Sequence, residues 1–345
     1  MDTTIFASNR LGTLTREQLQ TALTACDLGT LTGATAIAHG LFGQCLFIAS
    51  TRGDFVLRGC PHNDQQLALE QFIARTLHDR TTVPVAWPYL VVDDPTIFGW
   101  PFAIMPRMPG TTANDILDAA TTPECERIAI AHAMGETMAA AAAATFPTAG
   151  FFDRATNGIK PHPEGYAVPA LRHIREQLSD ALRHIPAATH AEDHALADAQ
   201  FAAGTATVRD DFTVCLSTSD FTAGNITIER PDGQSPWQVS GVFDYFEWHV
   251  GDPERTLARM LRAWARTSPD RAAALLAGYT RRLPLRPGAR ERLQLYGFSD
   301  FLVIWNYGHT LAKWFPDDLG LRACCADDLV AIGVAVDRHM QTRMA

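Results

Sequence analysis

The chain has no run of some eighteen apolar residues free of polar breaks, so it offers no helix able to cross a membrane. Met1 to Gly12 contains no apolar core of the kind a secretory leader needs. Seven cysteines are scattered at 26, 45, 60, 125, 215, 324 and 325, and none of them forms a Cys-x-x-Cys pair. Zinc-ribbon chemistry is thereby disfavoured, and reduced thiols in the cytoplasm are the simple reading. Basic charge is in short supply: 29 Lys and Arg stand against 38 Asp and Glu, a net charge of −9. That balance argues against nucleic acid as a partner. No internal repeat is present. With 47% hydrophobic residues among 345, one large or two modest domains can be filled.

Against these absences stands one short polar run, Ser219-Asp220-Phe221-Thr222-Ala223-Gly224-Asn225-Ile226, followed by Gly241-Val242-Phe243-Asp244-Tyr245. An Asp, an Asn shortly after it, and a second Asp beyond the next apolar segment form a minimal kit for kinase-type phosphoryl transfer. Such transfer asks for positioning and for charge neutralisation rather than for covalent chemistry. Asp220 would orient an acceptor hydroxyl and take its proton. Asn225 and Asp244 would offer oxygen to Mg²⁺, a hard cation that needs few protein ligands. Phe212 to Leu216 reads as a strand entering the loop. Ile226 to Ile228 and Trp237 to Phe243 read as a hairpin across Pro231-Asp232-Gly233.

Those residues, with Phe246-Glu247 and Gly251-Asp252-Pro253 after them, resemble the aminoglycoside phosphotransferase-like family, the small-molecule branch of the protein-kinase-like fold. The family usually writes His-Gly-Asp-Leu-His-Pro-Gly-Asn-Ile and then Asp-Trp-Glu. The resemblance implies Asp220 as catalytic base, Asn225 and Asp244 as Mg²⁺ ligands, and Asp252 as a loop-bracing acid. Thr218, Ser219 and Thr222 depart from the pattern, standing where the family has His, Gly and His. The first of those His braces the loop and does no chemistry.

The strand-rich first third is where the resemblance places the nucleotide, ATP or GTP. Gln44 to Ser50 and Asp54 to Arg58 read as strands joined at Thr51-Arg52-Gly53. Gly40 and Gly43 stand where a phosphate-covering loop would be, though an ordinary turn carries such glycines too. Arg58 falls at the position of the kinase strand lysine, and its planar fork suits phosphate oxygens. Asn63 to Asp79 is amphipathic, and its Glu70 is placed to pair with Arg58 or to stay solvated. Tyr89 to Val92 and Phe102 to Met105 read as further strands. They run into Pro106-Arg107-Met108-Pro109-Gly110, which resembles the hinge whose backbone, around Met105, Arg107 and Met108, meets the adenine edge.

Beyond the hinge the pattern is helical: 113–119, 123–145, 171–185, 191–203, 253–265, 271–281, 289–313 and 326–343. The expected fold is α+β and two-lobed, with an N-terminal lobe at 1–105 that includes an N-terminal helix, a hinge at 106–110 and a helical lobe at 111–345. The acceptor would be a small hydroxylated molecule, an aminoglycoside or another amino-alcohol. Candidate contacts are Glu247, Trp305, Asp317 and Asp318, with Tyr307 and His309 beside them; acids next to aromatics suit an ammonium group. The same residues read equally as core aromatics beside a solvated turn. His190 and His194 have zinc-ligand spacing on a helix, yet the metalloprotease arrangement is missing and a polar helix start is the better reading. Two alternatives to the enzyme stay in view: a nucleotide-binding pseudokinase, and a protein kinase. The second is disfavoured because Asp-Phe-Gly and Ala-Pro-Glu are missing and little room is left between Asp244 and Asp252.

Overall fold

The computed structural model describes residues 5–6, 11–37, 45–59 and 63–344. The chain divides into two compact units. One comprises Met1–Gly110, Phe152–Gly158 and Ser240–Phe246; the other comprises Thr111–Phe151, Ile159–Val239 and Glu247–Ala345. Asp244 therefore groups with the N-terminal residues, and Asp220 and Asn225 with the C-terminal ones.

In the first unit a short pair, β1 (Ile5–Phe6) and β2 (Thr13–Leu14), precedes helix α1 (Arg16–Ala25). Thr15 starts that helix with a capping box: its hydroxyl accepts the Gln18 N–H and its own N–H donates to Gln18 Oε1. The strands are β3 (Leu31–Ala36), β4 (Cys45–Ser50), β5 (Gly53–Gly59), β6 (Leu90–Val92) and β7 (Phe102–Pro106), and helix α2 (Gln66–Arg80) lies between β5 and β6 in the chain. They form an antiparallel sheet in the order β3-β4-β5-β7-β6. Alternation along β5 turns Phe55 and Leu57 into a core shared with Leu19 and Leu23 of α1 and with Leu46, Ile48, Phe102 and Ile104. Arg58, one residue on from Leu57, points to the opposite face, where α2 supplies Glu70. Strand β3 was not apparent in the sequence, because Leu-Thr-Gly-Ala-Thr-Ala carries little apolar bulk.

Beyond Gly110 the chain forms β8 (Thr111–Thr112), α3 (Ala113–Asp118) and α4 (Glu124–Ala141). The chain continues through β9 (Gly150–Asp153), β10 (Gly158–Pro161), α5 (Ala167–His184), α6 (Ala191–Gly204), β11 (Cys215–Thr218), β12 (Ile226–Glu229), β13 (Gln238–Val242) and β14 (Trp248–Gly251). It ends in α7 (Ala258–Trp264), α8 (Pro269–Thr280), α9 (Ala289–Thr310) and α10 (Leu321–Met344). Helices α4 and α8 cross closely at two glycines: a Cβ on Gly135 would overlap the Leu275 carbonyl, and one on Gly278 the His132 carbonyl. Two small strand pairs position the loop of interest. β11 runs antiparallel to β14, with Ser217 opposite His249 and Thr218 opposite Trp248. β12 pairs with β8 through Thr227 opposite Thr112. The strand read at 212–216 thus lies later, at 215–218, and ends directly at the loop. The helix read from 253 begins as a 3-10 turn, Pro253–Leu257, before α7.

Candidate active site

The loop between β11 and β12 is held by its own side chains and by the elements behind it. Thr218 Oγ1 accepts the Asp220 N–H at 2.9 Å, a local turn of the kind Thr favours. The Thr218 N–H donates to Thr256 Oγ1 at 3.3 Å, and Ser217 Oγ to the Asp252 carbonyl at 2.8 Å. Phe221 is buried and anchors the loop. Asn225 Nδ2 donates to Asp220 Oδ2 at 2.9 Å and to the Asp220 carbonyl at 3.1 Å. Both bonds use the Asn225 amide nitrogen, and its carbonyl oxygen takes part in neither. The other Asp220 oxygen, Oδ1, pairs with Arg259.

Asp252 sits beneath this loop and is fully buried. It accepts from Arg286, from the Tyr296 hydroxyl at 2.9 Å and from the Glu254 N–H at 3.0 Å. Glu254, also buried, accepts from Arg292 Nε at 2.8 Å and from Arg286. Both carboxylates thus have the multiple donors that burial of charge demands. Nothing here gives Asp252 a role beyond bracing.

In the first unit, Arg58 and Glu70 meet as anticipated. Arg58 Nη2 donates to Glu70 Oε1 at 2.8 Å, and Nε lies 2.7 Å from Oε2. Gln66 Nε2 and the Tyr89 hydroxyl complete the Glu70 shell at 3.0 and 2.5 Å. Burial alone would lower the Arg58 pKa, but Glu70 and Asp244 outweigh it and raise it well above the ordinary value. Burial, and then the Glu70 charge, push the Tyr89 phenol well up, so it stays a donor. Arg58 Nη2 also donates to Asp244 Oδ1 at 3.0 Å. Asp244 adopts φ +61°, a left-handed conformation unusual outside glycine. Such strain concentrates at functional positions.

The remaining candidates separate. Met105 is a buried residue of β7 opposite Val56, and Met108 is half-buried. The Arg107 N–H donates to the Asp54 carbonyl at 2.9 Å, and its guanidinium lies 4.0 Å from the Phe47 ring centre. Gly40 and Gly43 lie outside the described residues. Glu247, Asp317 and Asp318 are exposed. Trp305 is not a surface contact: it is fully buried, and its indole N–H donates to the Leu319 carbonyl at 3.2 Å. His309, buried as well, lies 3.2 Å from the same carbonyl. The aromatic row belongs to the packing of α9, because a helix in the middle of a bundle buries most of its circumference. His190 caps α6, its N–H donating to Asp193 Oδ2 at 2.8 Å. No cluster of three or more His, Cys, Asp or Glu placed for a metal occurs among the described residues.

Sequence reasoning missed Arg259, Arg262 and Asp300. Arg259 and Arg262 lie three apart on α7 and so share one helical face, which is a readable pattern. Their acidic partner, however, lies 41 residues beyond Arg259, on α9.

The profile described as "Phosphotransferase enzyme family" (APH) matches residues 34–296. The chain belongs to this family. No curated protein matches the sequence. Among solved structures, the family likeness extends over nearly the whole chain. A thermostable mutant of aminoglycoside phosphotransferase APH(4)-Ia, in ternary complex with ADP and hygromycin B, is 18% identical with a TM-score of 0.63, covering 92% of this chain and 98% of that one. The GDP and kanamycin complex of APH(2")-IIIa is 14% identical with a TM-score of 0.60, over 93% and 99%. The gentamicin complex of APH(2")-IIa is 14% identical at 0.54, over 92% and 97%. The fold is thus the α+β, protein-kinase-like one, strand-rich in its N-terminal lobe and mostly helical in its C-terminal lobe. Family membership supports phosphotransfer to a small molecule as the class of activity. No helix among the described residues is long and apolar enough to cross a membrane.

Proposed function

We propose that this protein transfers the γ-phosphoryl group of ATP or GTP to a hydroxyl of a small acceptor, an aminoglycoside or another amino-alcohol, in a Mg²⁺-dependent reaction. The observation that carries the reading is the direct hydrogen bond between Asp220 and Asn225 on one braced loop. In the reaction the acceptor oxygen bonds to the γ-phosphorus as the bond to the β–γ bridging oxygen breaks. The nucleoside diphosphate leaves, and the acceptor proton passes to Asp220 and then to solvent. Asp220 aligns the hydroxyl. Arg58, steadied by Glu70, neutralises phosphate charge.

Asn225 and Asp244 are the residues proposed to hold Mg²⁺. Their oxygens are the hard donors this ion accepts, and each has an oxygen outside the hydrogen bonds described above. When bound, the ion neutralises charge on the nucleotide phosphates. We assign nucleotide contact to residues 1–105 and the backbone of 106–110, and acceptor contact to 111–345, including exposed Glu247, Asp317 and Asp318. Structures of relatives hold ADP with hygromycin B and GDP with kanamycin, which supports a nucleotide and an amino-sugar acceptor here. Free cysteines, six among the described residues, suit the cytoplasm.

The test is nucleotide consumption with Mg²⁺, ATP and GTP in parallel, across kanamycin, gentamicin, hygromycin B and simple amino-alcohols. Acceptor-stimulated turnover should fall by about 10³-fold or more in Asp220→Asn, while nucleotide affinity stays near that of the unaltered chain. Equal turnover in the two proteins would sink the assignment.

A further inference from the structure

Asp220 is held from outside its own loop by a guanidinium that is itself clamped. Arg259, on α7, pairs through Nη1 with Asp220 Oδ1 and donates through Nε to Asp300 Oδ1 at 2.5 Å. Asp300 belongs to α9 and its side chain is only 3% exposed. Its second oxygen accepts from Arg262 Nε at 2.8 Å. The order Asp220–Arg259–Asp300–Arg262 alternates charge and runs from the loop into the helical core. Asn225 occupies the remaining Asp220 oxygen, and Thr218 fixes the Asp220 backbone. The carboxylate is therefore held at both oxygens and at its amide.

We propose that Arg259, anchored by Asp300, is a positioning residue for Asp220: it fixes the plane of the carboxylate that meets the acceptor hydroxyl. The inference rests on the phosphotransfer reading above. Three features favour this role over a plain tie between α7 and α9. First, Arg262 already engages Asp300, so that tie persists without Arg259. Second, Arg259 uses two different edges of its fork, one for each carboxylate, a geometry an ammonium cannot reproduce. Third, Arg259 and Arg262 engage separate oxygens of Asp300, Oδ1 and Oδ2, so the Arg259 contact does not depend on Arg262. Burial would lower the Arg259 pKa, but Asp300 and then Asp220 raise it above the ordinary value, so it stays charged while in contact. Reactivity in such sites depends on placement to within about 1 Å, where errors cost on the order of 10²-fold.

The experiment compares Arg259→Gln, Arg259→Lys, Arg262→Gln and Asp220→Asn, together with the double variant Arg259→Gln/Asp220→Asn. For each, kcat, the KM for Mg-nucleotide and the melting temperature are measured with the acceptor panel above and with water alone as acceptor. In Arg259→Gln, kcat should fall by about 10- to 100-fold with nucleotide KM within about twofold. Arg259→Lys, which keeps the charge but not the fork, should recover part of that loss. Arg262→Gln loosens the same helix tie without touching Asp220, so it should lower the melting temperature while kcat stays within about threefold. Adding Arg259→Gln to Asp220→Asn should cost little more, since the two act through one group. If Asp220→Asn is inactive but Arg259→Gln keeps kcat within twofold, or if the two losses multiply in full, the positioning role is overturned and the phosphotransfer reading stands. If the unaltered protein consumes no nucleotide with any acceptor, or Asp220→Asn is as active as it, the phosphotransfer reading falls and the positioning role with it.

Discussion

At the residue scale, Glu70 shows how much a single buried carboxylate depends on its donors. Its carboxylate is 1% exposed and accepts from Arg58, Gln66 and Tyr89. An ionised group so placed is tolerable only while its donors remain. Glu70→Gln removes the charge that holds Arg58, leaving a buried guanidinium with Asp244 as its remaining acid. The substitution should destabilise the protein by about 3 kcal/mol, read as a lower urea midpoint. It should also weaken nucleotide binding, because Arg58 loses its fixed orientation; unchanged binding in a titration calorimeter would separate Arg58 from the phosphates. Both members of this pair were legible beforehand. Arg58 stood out through the family resemblance at the end of an apolar strand, and Glu70 on the next helix was open to pairing with it or to staying solvated; the structure shows the pair. Trp305 shows the converse: of the two readings open to it, pocket contact or core aromatic, the burial of its side chain fits the core one. An aromatic near acids looks the same in sequence whether it lines a pocket or fills a core.

At the scale of elements, the crossing of α4 and α8 is set by what two positions leave out. Gly135 faces the Leu275 carbonyl and Gly278 the His132 carbonyl, with backbone close enough on each side that no Cβ fits. Gly278→Ala should therefore lower stability by about 1–3 kcal/mol through overpacking, despite the higher helix propensity of Ala. A melting temperature equal to or above that of the unaltered protein would show that the helices part without cost. The helices themselves were readable from their apolar period and Ala-rich runs. Their ends were not, and the strand entering the Asp220 loop begins and ends a few residues later than its propensity suggests. Phe212 has strand propensity but packs edge-on against Tyr166, whereas Cys215 to Thr218 finds a partner in β14. Strand β14 itself is four residues long, too short for alternation to announce.

At the scale of the whole molecule, His249 couples folding to pH. It lies opposite Ser217 on β14. Burial first, and then repulsion from Arg255, push its pKa down from 6.5 to about 3, against an opposing pull from the Glu247 backbone, while His173 and His162 add weaker repulsion. Below about 6.5 the unfolded chain takes up a proton that the folded chain refuses. This contribution to stability is thus complete above that pH and is lost progressively as pH falls toward 3. In His249→Asn, the decline of stability over that window should be shallower by the equivalent of one proton, measured by urea unfolding at half-unit steps. A slope identical to that of the unaltered protein would remove His249 from the account.

The sequence by itself determined the chemistry on offer. The Asp220–Asn225 spacing, the later Asp244 and the helical second half follow from residue types and local periodicity, which nearby residues carry alone, while the family resemblance singled out Arg58 and, as its possible partner, Glu70. Only the tertiary structure decided which groups restrain that chemistry. Arg259 reaches Asp220 across 39 positions, Asp300 reaches Arg259 across 41, and Glu254 meets Arg292 across 38. Contacts over such separations depend on how helices pack. Packing is fixed by buried shape summed over many residues, and no short stretch of sequence contains that sum.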